Sequence, residues 1–467
     1  MVRYISTRGT APALSFDEVV LTGLARDGGL YVPETWPQFS AAEIRGLVGM
    51  DYADAAAFLL YPFLGDSISK AEFQVMTAKA YASFSHQAVV PISQLGSNEF
   101  LMELYHGPTL AFKDVALQLL GLLYDHLLGS RGKRVTIVGA TSGDTGSAAI
   151  DACRGRDAVD IFILHPAGRV SDVQRRQMTT VLDSNVHNIA IEGDFDDCQA
   201  MVKAMFNDLA FRDELAISAV NSINWARVMA QIVYYFTVGV SLGSPDRAIS
   251  FSVPSGNFGD VYAGYAASKM GLPIEQLIVA TNRNDILSRF FNSGEYRKSG
   301  VDPTISPSMD IQVSSNFERF LFDLHGRDGA AVSDLMVKLD SDGGFAVNMA
   351  LLNEGIFSAG SSSEDDTLQT IQKTLQNSVK LVDPHTAVGL KVGADCRNRT
   401  TAPLVTLSTA HPAKFPDAVE KATGVHPELP DPLSDLFTRE ERLVHLPNDL
   451  GTVKSFIRER ARILQAT

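Results

Sequence analysis

Short apolar runs alternate with longer stretches of helical spacing over most of the chain from residue 133 onward. The apolar runs are RVTIVGAT, VDIFILHP, VHNIAIEG, AISAVN, AISFSVPS, QLIVATN and PLVTLST. Their length and their β-branched residues predict buried strands, and the stretches that follow most of them predict helices. Strands that alternate with helices indicate βαβ units, parallel sheets and an α/β fold. Because ligands bind at the carboxyl ends of such strands, the loops that follow them are the places to look for a site.

The amino-terminal part of the chain has a different pattern. Residues 1 to about 95 combine amphipathic helical spacing with a short extended piece, GGLYVPE. The longest apolar stretch, Val115 to Leu128, predicts a helix. It contains Gln118, Asp125 and His126, and it is too short and too polar to cross a bilayer.

Composition and charge exclude some classes of partner. The chain has 467 residues, a net charge of -14 and a pI of about 5.2. An acidic chain is a poor match for nucleic acid or an anionic membrane, although a pocket can still be locally positive. The three cysteines are far apart, so no disulfide framework or metal site is indicated, and a cytoplasmic protein is expected.

The loop after the predicted strand AISFSVPS is suited to an anion. The strand ends at Pro254, a Ser-Gly-Asn-Phe-Gly loop follows, and a helix is expected to begin near Asp260. Backbone N–H groups in such a loop, together with the helix dipole, favour phosphate. No G-K-[ST] follows, so it is not a nucleotide P-loop. The alternative is a tight turn that needs glycine for its backbone conformation alone.

A second polar glycine loop, GATSGDTGSAAI, begins at Gly139. It also lies between a predicted strand and a predicted helix, and its hydroxyl groups and N–H groups suit a carboxylate or a phosphate. It lacks the G-x-G-x-x-G spacing of dinucleotide sites. Simple helix capping by Ser, Asp or Thr is the alternative.

Lys113 stands in the apolar segment HGPTLAFKDVALQ, His106 to Gln118. Asp114 is predicted to be a helix N-cap, which would place the lysine at the positive end of a helix dipole. Apolar neighbours and that dipole both favour a neutral amine. Near two anion-binding loops, a neutral lysine is what an aldehyde cofactor such as pyridoxal phosphate needs for a Schiff base. The alternative is a lysine that snorkels to the surface of a helix.

Six segments, in this order along the chain, carry a resemblance: ELYHGPTLAFKDVALQ, TSGDTGSAA, VNSINWAR, PSGNFGD, DPHTAVG and LSTAHPAKF. Together they resemble the threonine synthases, pyridoxal-phosphate enzymes of the tryptophan-synthase-β fold type. The amino-terminal YISTRG…GLARDGGLYVPE is similar to that family's own amino-terminal domain. The resemblance implies two parallel βαβ domains plus a family-specific amino-terminal region.

The resemblance also implies roles for residues that match the family's motifs. Lys113 would condense with the cofactor aldehyde. The other implied cofactor residues are Gly256, Asn257, Phe258 and Asp260 for the phosphate, Thr409 near the pyridine nitrogen, and Asn221 near the cofactor hydroxyl. The implied substrate residues are Thr141, Ser142, Asp144 and Thr145 for the carboxylate, and Arg227 for the substrate phosphate. The alternative for Arg227 is a salt bridge on a helix surface. His106 and Thr109 lie beside the lysine and receive no role.

The implied domains are an amino-terminal domain at 1–95, a catalytic core at 96–416 with a smaller mobile domain at about 125–215, and a helical tail at 417–467 packed on the core. No role is implied for residues from about 295 to 380 or for the tail.

The implied reaction converts O-phospho-L-homoserine and water to L-threonine and phosphate, in a monomer or a homodimer. A serine/threonine dehydratase of the same fold type is the nearest alternative. A nicotinamide-dependent oxidoreductase and a family member that has lost catalysis are the others.

Overall fold

The computed structural model describes residues 2–218, 222–352, 355–398 and 401–464. The strands are β1 Tyr4–Ser6, β2 Tyr31–Pro33, β3 Ile92–Gly96, β4 Glu99–Glu103, β5 Val135–Ala140, β6 Val159–Pro166, β7 Val186–Ile191, β8 Ile217–Ser218, β9 Ile249–Pro254, β10 Ile274–Thr281, β11 Glu295–Arg297, β12 Gly344–Ala346, β13 Phe357–Ser361, β14 Leu404–Ser408 and β15 Val444–Leu446.

The α-helices are α1 Phe16–Thr22, α2 Ala41–Arg45, α3 Tyr52–Leu60, α4 Lys70–Tyr81, α5 Lys113–Gly129, α6 Asp144–Cys153, α7 Asp172–Thr179, α8 Phe195–Asn207, α9 Leu209–Glu214, α10 Trp225–Ser241, α11 Gly259–Lys269, α12 Ile286–Ser293, α13 Phe317–Leu324, α14 Gly329–Ser341, α15 Glu364–Ser378, α16 Pro384–Cys396, α17 Pro416–Thr423 and α18 Leu450–Arg460. Short 3₁₀ turns follow β14, at Pro412–Lys414, and lie between β11 and α13, at Pro307–Met309.

Two sheets organise the molecule. The larger has the strand order β13-β10-β9-β14-β4-β3, and its strands are parallel except for the edge strand β3. The smaller has the order β15-β7-β6-β5-β8 and is parallel throughout. These two parallel-type sheets, with helices between their strands, are the α/β architecture that the apolar runs predict. The seven predicted strands correspond to β5 to β10 and β14.

Strands and helices of the core are apolar because both faces of each sheet are covered. All eight residues of β6 and all six of β9 are buried. Helix α10 packs against α5 and α11, and its Val228, Met229 and Ile232 are buried. Long parallel strands without alternation are typical of sheets that have helices on both faces.

The expected limits of the amino-terminal domain and of the tail can be compared with the sheets of the structure. The expected boundary at residue 95 falls inside β3, which pairs with β4 in the larger sheet. In the tail, β15 pairs with β7, and α18 packs its apolar face onto the smaller sheet. A three-residue strand carries no periodic signal, so its partner is decided only by the folded chain.

Within the described ranges, we find no helix that combines the length and the apolar composition a membrane span requires.

Candidate active site

Lys113 is the first residue of α5 and is 8% exposed. The preceding loop joins it to β14, because the Phe112 N–H donates to the Thr409 carbonyl oxygen over 2.8 Å. Burial lowers the pKa of Lys113; Asp144 opposes this, and the positive charges of Arg227 and Lys414 lower it further. The lowered pKa favours the neutral amine, which is the form that a nucleophilic or basic lysine uses.

The predicted N-cap role of Asp114 is wrong. The N-cap position belongs to Phe112, and Asp114 lies inside the first turn of α5. Its carboxyl accepts the backbone N–H and the hydroxyl of Thr109 and so closes the loop before the lysine. A Cβ on Gly107 would lie 2.4 Å from the Cβ of Asp114, so the loop can approach the helix only with glycine at that position.

The loop after β9 has the geometry of an anion site. Phe258 has a left-handed backbone, with φ of 60°, and α11 begins at the next residue. The Ser255 hydroxyl accepts the Phe258 N–H over 3.0 Å and fixes the turn. A Cβ on Gly256 would lie 3.0 Å from the Ser308 carbonyl oxygen, so any other residue would push against the neighbouring backbone. The helix N-terminus adds a positive dipole end at the same place.

Asp260, in the first turn of α11, does not offer its side chain as a donor to this loop. Its carboxyl accepts hydrogen bonds from the hydroxyl groups of Tyr234 and Tyr235 on α10. Burial raises the pKa of Asp260 to about 7, although the two tyrosines act in the opposite direction. A carboxyl that is partly protonated at neutral pH repels a phosphate bound at the start of its helix less than a full carboxylate would.

The glycine loop after β5 is held by Thr141. Its Oγ1 accepts the N–H groups of Gly143 and Gly146, each over 2.9 Å, which is the capping that the sequence left as an alternative. The N–H groups of Asp144 and Thr145 belong to the first turn of α6, where a helix offers them no acceptor. Ser142 is exposed and Thr145 is half-buried at this end of the sheet.

Asp144 connects the two sheets. Its Oδ2 lies 3.6 Å from the Lys113 Nζ, and its Oδ1 lies 3.1 Å from the Lys414 Nζ. The Ser308 hydroxyl donates to Oδ2 over 3.0 Å, and the Gln174 amide donates to Oδ1 over 2.8 Å. Burial alone would raise the pKa of Asp144, but Lys414 and then Lys113 hold it well below its usual range. Its side chain is therefore an anion and cannot itself donate to a substrate carboxylate.

Thr409, Arg227 and Asn221 are the remaining residues for which the sequence predicted a role. Thr409 is buried directly after β14, on the loop that bonds to the lysine loop. Arg227 is buried in α10 and so does not lie on an exposed helix surface. Burial lowers the pKa of Arg227 to about 10. Asn221 lies outside the described residues.

Three further residues lie in this part of the structure, and the sequence predicted no role for them. Lys414, in the quoted segment LSTAHPAKF, is fully buried beside Asp144. Ser308 belongs to the stretch for which no role was expected. His385 accepts the Ser308 N–H over 3.2 Å, and its other ring nitrogen lies 2.7 Å from Asp383. A lysine on the same short loop as Thr409 was a usable signal for Lys414, whereas the sequence around Ser308 offered none.

These features fit pyridoxal phosphate. Gly256, Asn257 and Phe258, with the start of α11, form a turn whose geometry suits an anion, and the buried Lys113 supplies an amine of lowered pKa. Ser308 links the two, because its hydroxyl contacts Asp144 while its carbonyl oxygen borders Gly256.

Comparison with known proteins agrees with this chemistry. Family models described as "Threonine synthase N terminus", "Pyridoxal-phosphate dependent enzyme" and "Threonine synthase, C-terminal" match residues 3–81, 87–364 and 386–457. A threonine synthase of Pseudomonas aeruginosa is 57% identical over 459 residues, which cover 98% of each chain.

Solved structures show the same similarity. The structure of a PLP-bound threonine synthase from Brucella melitensis superimposes with a TM-score of 0.97 at 57% identity and covers 99% of this chain and 100% of that one. A yeast threonine synthase gives a TM-score of 0.93 at 40% identity, with 98% of each chain covered. The dehydratase alternative is not favoured. The chain therefore belongs to the threonine synthase family, the pyridoxal-phosphate-dependent lyases of threonine biosynthesis.

Proposed function

We propose that the chain converts O-phospho-L-homoserine and water to L-threonine and phosphate. The observation that carries the proposal is the buried Lys113, whose pKa is lowered by burial at the head of α5, between two glycine loops suited to anions. In the net change the Cγ–O bond breaks and phosphate leaves, Cγ gains a hydrogen, and one hydrogen of Cβ is replaced by the hydroxyl of water. When bound, pyridoxal phosphate supplies an electron sink next to Cα.

Lys113 is the proposed base. An amine whose pKa lies below its ordinary value can take the Cα proton of the substrate at neutral pH and return it at the end. Asp144, 3.6 Å from the Lys113 Nζ, orients this amine.

Two loops are proposed to hold the anionic groups. Gly256, Asn257 and Phe258, with the first turn of α11, would bind the cofactor phosphate, and the raised pKa of Asp260 would limit its negative charge at that helix start. The Thr409 hydroxyl would face the ring nitrogen, and Asn221 the cofactor hydroxyl.

The substrate carboxylate would be held by Thr141, Ser142, Asp144 and Thr145. In this loop the hydroxyl groups of Thr141, Ser142 and Thr145 and the backbone N–H groups are the donors, because the Asp144 side chain is an anion. The Thr141 oxygen accepts two N–H groups, which leaves its own O–H as a donor. Arg227 would face the substrate phosphate. Its buried guanidinium acts electrostatically on Lys113, which supports a position close to the reacting groups.

We also propose that the smaller sheet moves as a lid. Asp144 and its helix belong to this sheet, whereas Lys113, Lys414 and Ser308 belong to the larger one. Closure would limit the access of water while an unstable intermediate exists, although one water molecule must enter as a reactant.

Covalent trapping tests the proposal. The protein is loaded with pyridoxal phosphate, reduced with borohydride, dialysed and analysed by peptide mass spectrometry. The reduced adduct is expected on the peptide that contains Lys113, and Lys113→Ala should lose both the adduct and turnover. The exposed Lys133 offers a matched control, since Lys133→Ala should keep both.

A phosphate-release assay tests the substrate. O-phospho-L-homoserine should give phosphate and threonine in equal amounts. Release of ammonia from threonine without phosphate release from phosphohomoserine would instead indicate a dehydratase.

A further inference from the structure

Lys414 has every donor of its ammonium group engaged. The side chain is fully buried on the turn after β14. Its Nζ donates to the Thr109 carbonyl oxygen over 2.8 Å and to the Gln177 Oε1 over 2.9 Å, and it lies 3.1 Å from Asp144. An ammonium group has three N–H donors, so none is left for a bound phosphate. The role of Lys414 must therefore be exerted through its neighbours.

The neighbour that reaches the catalytic amine is Asp144. One of its carboxylate oxygens faces Lys414 and the other faces Lys113, and the contact to Lys414 is shorter by 0.5 Å, the difference between 3.6 Å and 3.1 Å. Of the favourable charges around Asp144, Lys414 contributes most to lowering its pKa, ahead of Lys113. The Asp144 carboxylate is thus paired mainly with Lys414, to which the proposed reaction assigns no chemical step.

We propose that Lys414 is a positioning residue that acts through Asp144: it holds the carboxylate beside Lys113 and takes up most of its charge. With Lys414 in place, Asp144 orients the Lys113 amine without fixing it as an ammonium ion. Without Lys414, the same carboxylate would pair with Lys113 alone and favour its protonated form. This inference rests on the proposed role of Lys113.

The other charged groups near these three residues do not substitute for Lys414. Arg227 on α10 acts on Lys113, His385 on α16 acts on Asp144, and Asp114 on α5 is affected by Lys414. Arg227 already lowers the pKa of Lys113 and stays in place in the variants below. His385 is bonded to Asp383 and to the Ser308 N–H, so it is not directed at Lys113.

The test follows the condensation of pyridoxal phosphate with the full-length protein after its own cofactor has been removed. The aldehyde reacts only with the neutral amine, so the rate, read from the absorbance of the product, follows the deprotonated fraction of Lys113 as pH is varied. The variants are Lys414→Met, Asp144→Asn and the double variant. Lys454→Met is the matched control, because Lys454 pairs with Asp208 within the smaller sheet and its helices.

Lys414→Met is expected to move the midpoint of the rate to higher pH by about one unit, which slows condensation about tenfold below the midpoint. Asp144→Asn should move the midpoint to lower pH, since it removes a nearby anion that favours the ammonium form. In the Asp144→Asn background, the shift caused by Lys414→Met should fall by more than half. Lys454→Met should leave the midpoint unchanged.

An unchanged midpoint in Lys414→Met would overturn the proposal, and so would a shift of equal size in the two backgrounds, which would mean that Lys414 acts without Asp144. If circular dichroism shows that Lys414→Met does not fold, the Asp144→Asn variant provides the test. A condensation-rate midpoint in Asp144→Asn that stays at the wild-type pH or moves to higher pH contradicts the proposal. Borohydride trapping separates this failure from failure of the proposed function, because the adduct then remains on Lys113 while the midpoints do not move.

Discussion

The ionisation state of the buried Glu103, close to the lysine loop, is set mainly by neighbours that are distant in sequence. Glu103, at the end of β4, accepts hydrogen bonds from His106, Lys380 and Ser93. Burial by itself would raise the pKa of Glu103, but these three partners hold it at about 2, below the ordinary 4.5. Of these three partners, only His106 is close to Glu103 in the sequence. The local sequence would therefore predict an ordinary solvated carboxylate at the end of a strand.

Glu103→Gln should therefore change how stability depends on pH. A carboxyl whose folded-state pKa is depressed stabilises the fold above pH 4.5, and that contribution is lost as the pH falls towards 2. At neutral pH the substitution is expected to cost up to about 3 kcal/mol. Urea unfolding of the two proteins at a series of pH values should show the difference shrinking below pH 4.5.

Glu99→Gln, on the same strand, is the control for this substitution. Glu99 is half exposed and pairs with Arg397, so its replacement should cost well below 1 kcal/mol at every pH. A cost for Glu103→Gln that does not vary with pH would contradict the assignment of charge to Glu103.

At the scale of single elements, the carboxyl-terminal helix α18 completes the smaller sheet. Val453, Phe456, Ile457 and Ala461 are buried against the strands and helices of that sheet, and β15 adds its edge strand. The Arg462 side chain also donates to Asp160 on β6 over 2.5 Å. The tail is therefore a structural part of the sheet that carries Asp144.

Ile457→Ala should destabilise this sheet. The side chain is fully buried, and truncation of such a residue to alanine costs about 2–5 kcal/mol through lost burial and the cavity left behind. Thermal unfolding should show a lower midpoint, with hydrogen exchange increasing first in β6 and β7. Val75→Ala, at a position that is 67% exposed, should leave both measurements unchanged. Equal effects of the two substitutions would mean that α18 does not support the sheet.

At the scale of the whole molecule, the amino-terminal region is bound to the core through Glu318 on α13. The Thr7 hydroxyl donates to Oε1 of Glu318 over 2.7 Å, and Arg8 forms a two-point contact with both carboxylate oxygens at 3.1 Å. Nearby, the fully buried Arg319 donates to the Tyr31 carbonyl oxygen on β2. A two-point, partly buried arginine–carboxylate pair is stronger and more directional than an exposed one.

Glu318→Gln should loosen the amino-terminal region. It removes the charge that Arg8 faces, at a side chain that is only 10% exposed, and the expected cost is about 1–3 kcal/mol. Limited proteolysis should cut between residues 2 and 90 faster than in the wild type. The control is Glu295→Gln, whose pair with Arg297 is half exposed on both sides and should show no change. Equal proteolysis of all three proteins would argue against this anchoring.

The sequence by itself determined the order of the main strands and helices and the two glycine loops, and it predicted Lys113 as the central residue. These features depend on periodicity and on turn chemistry, which are local properties. The ordered motifs also identified the family, because as an ordered set they are specific to it.

The tertiary structure decided what the local pattern left open. An aspartate near a helix start suits an N-cap or the first turn equally well, and the close approach of Gly107 and Thr109 selected the first turn for Asp114. Asp144 became an anion shared by two lysines only because α6 of the smaller sheet meets the loop after β14 of the larger one. Burial and charge pairing between segments that are far apart in the chain depend on how the sheets meet, and no local period encodes that.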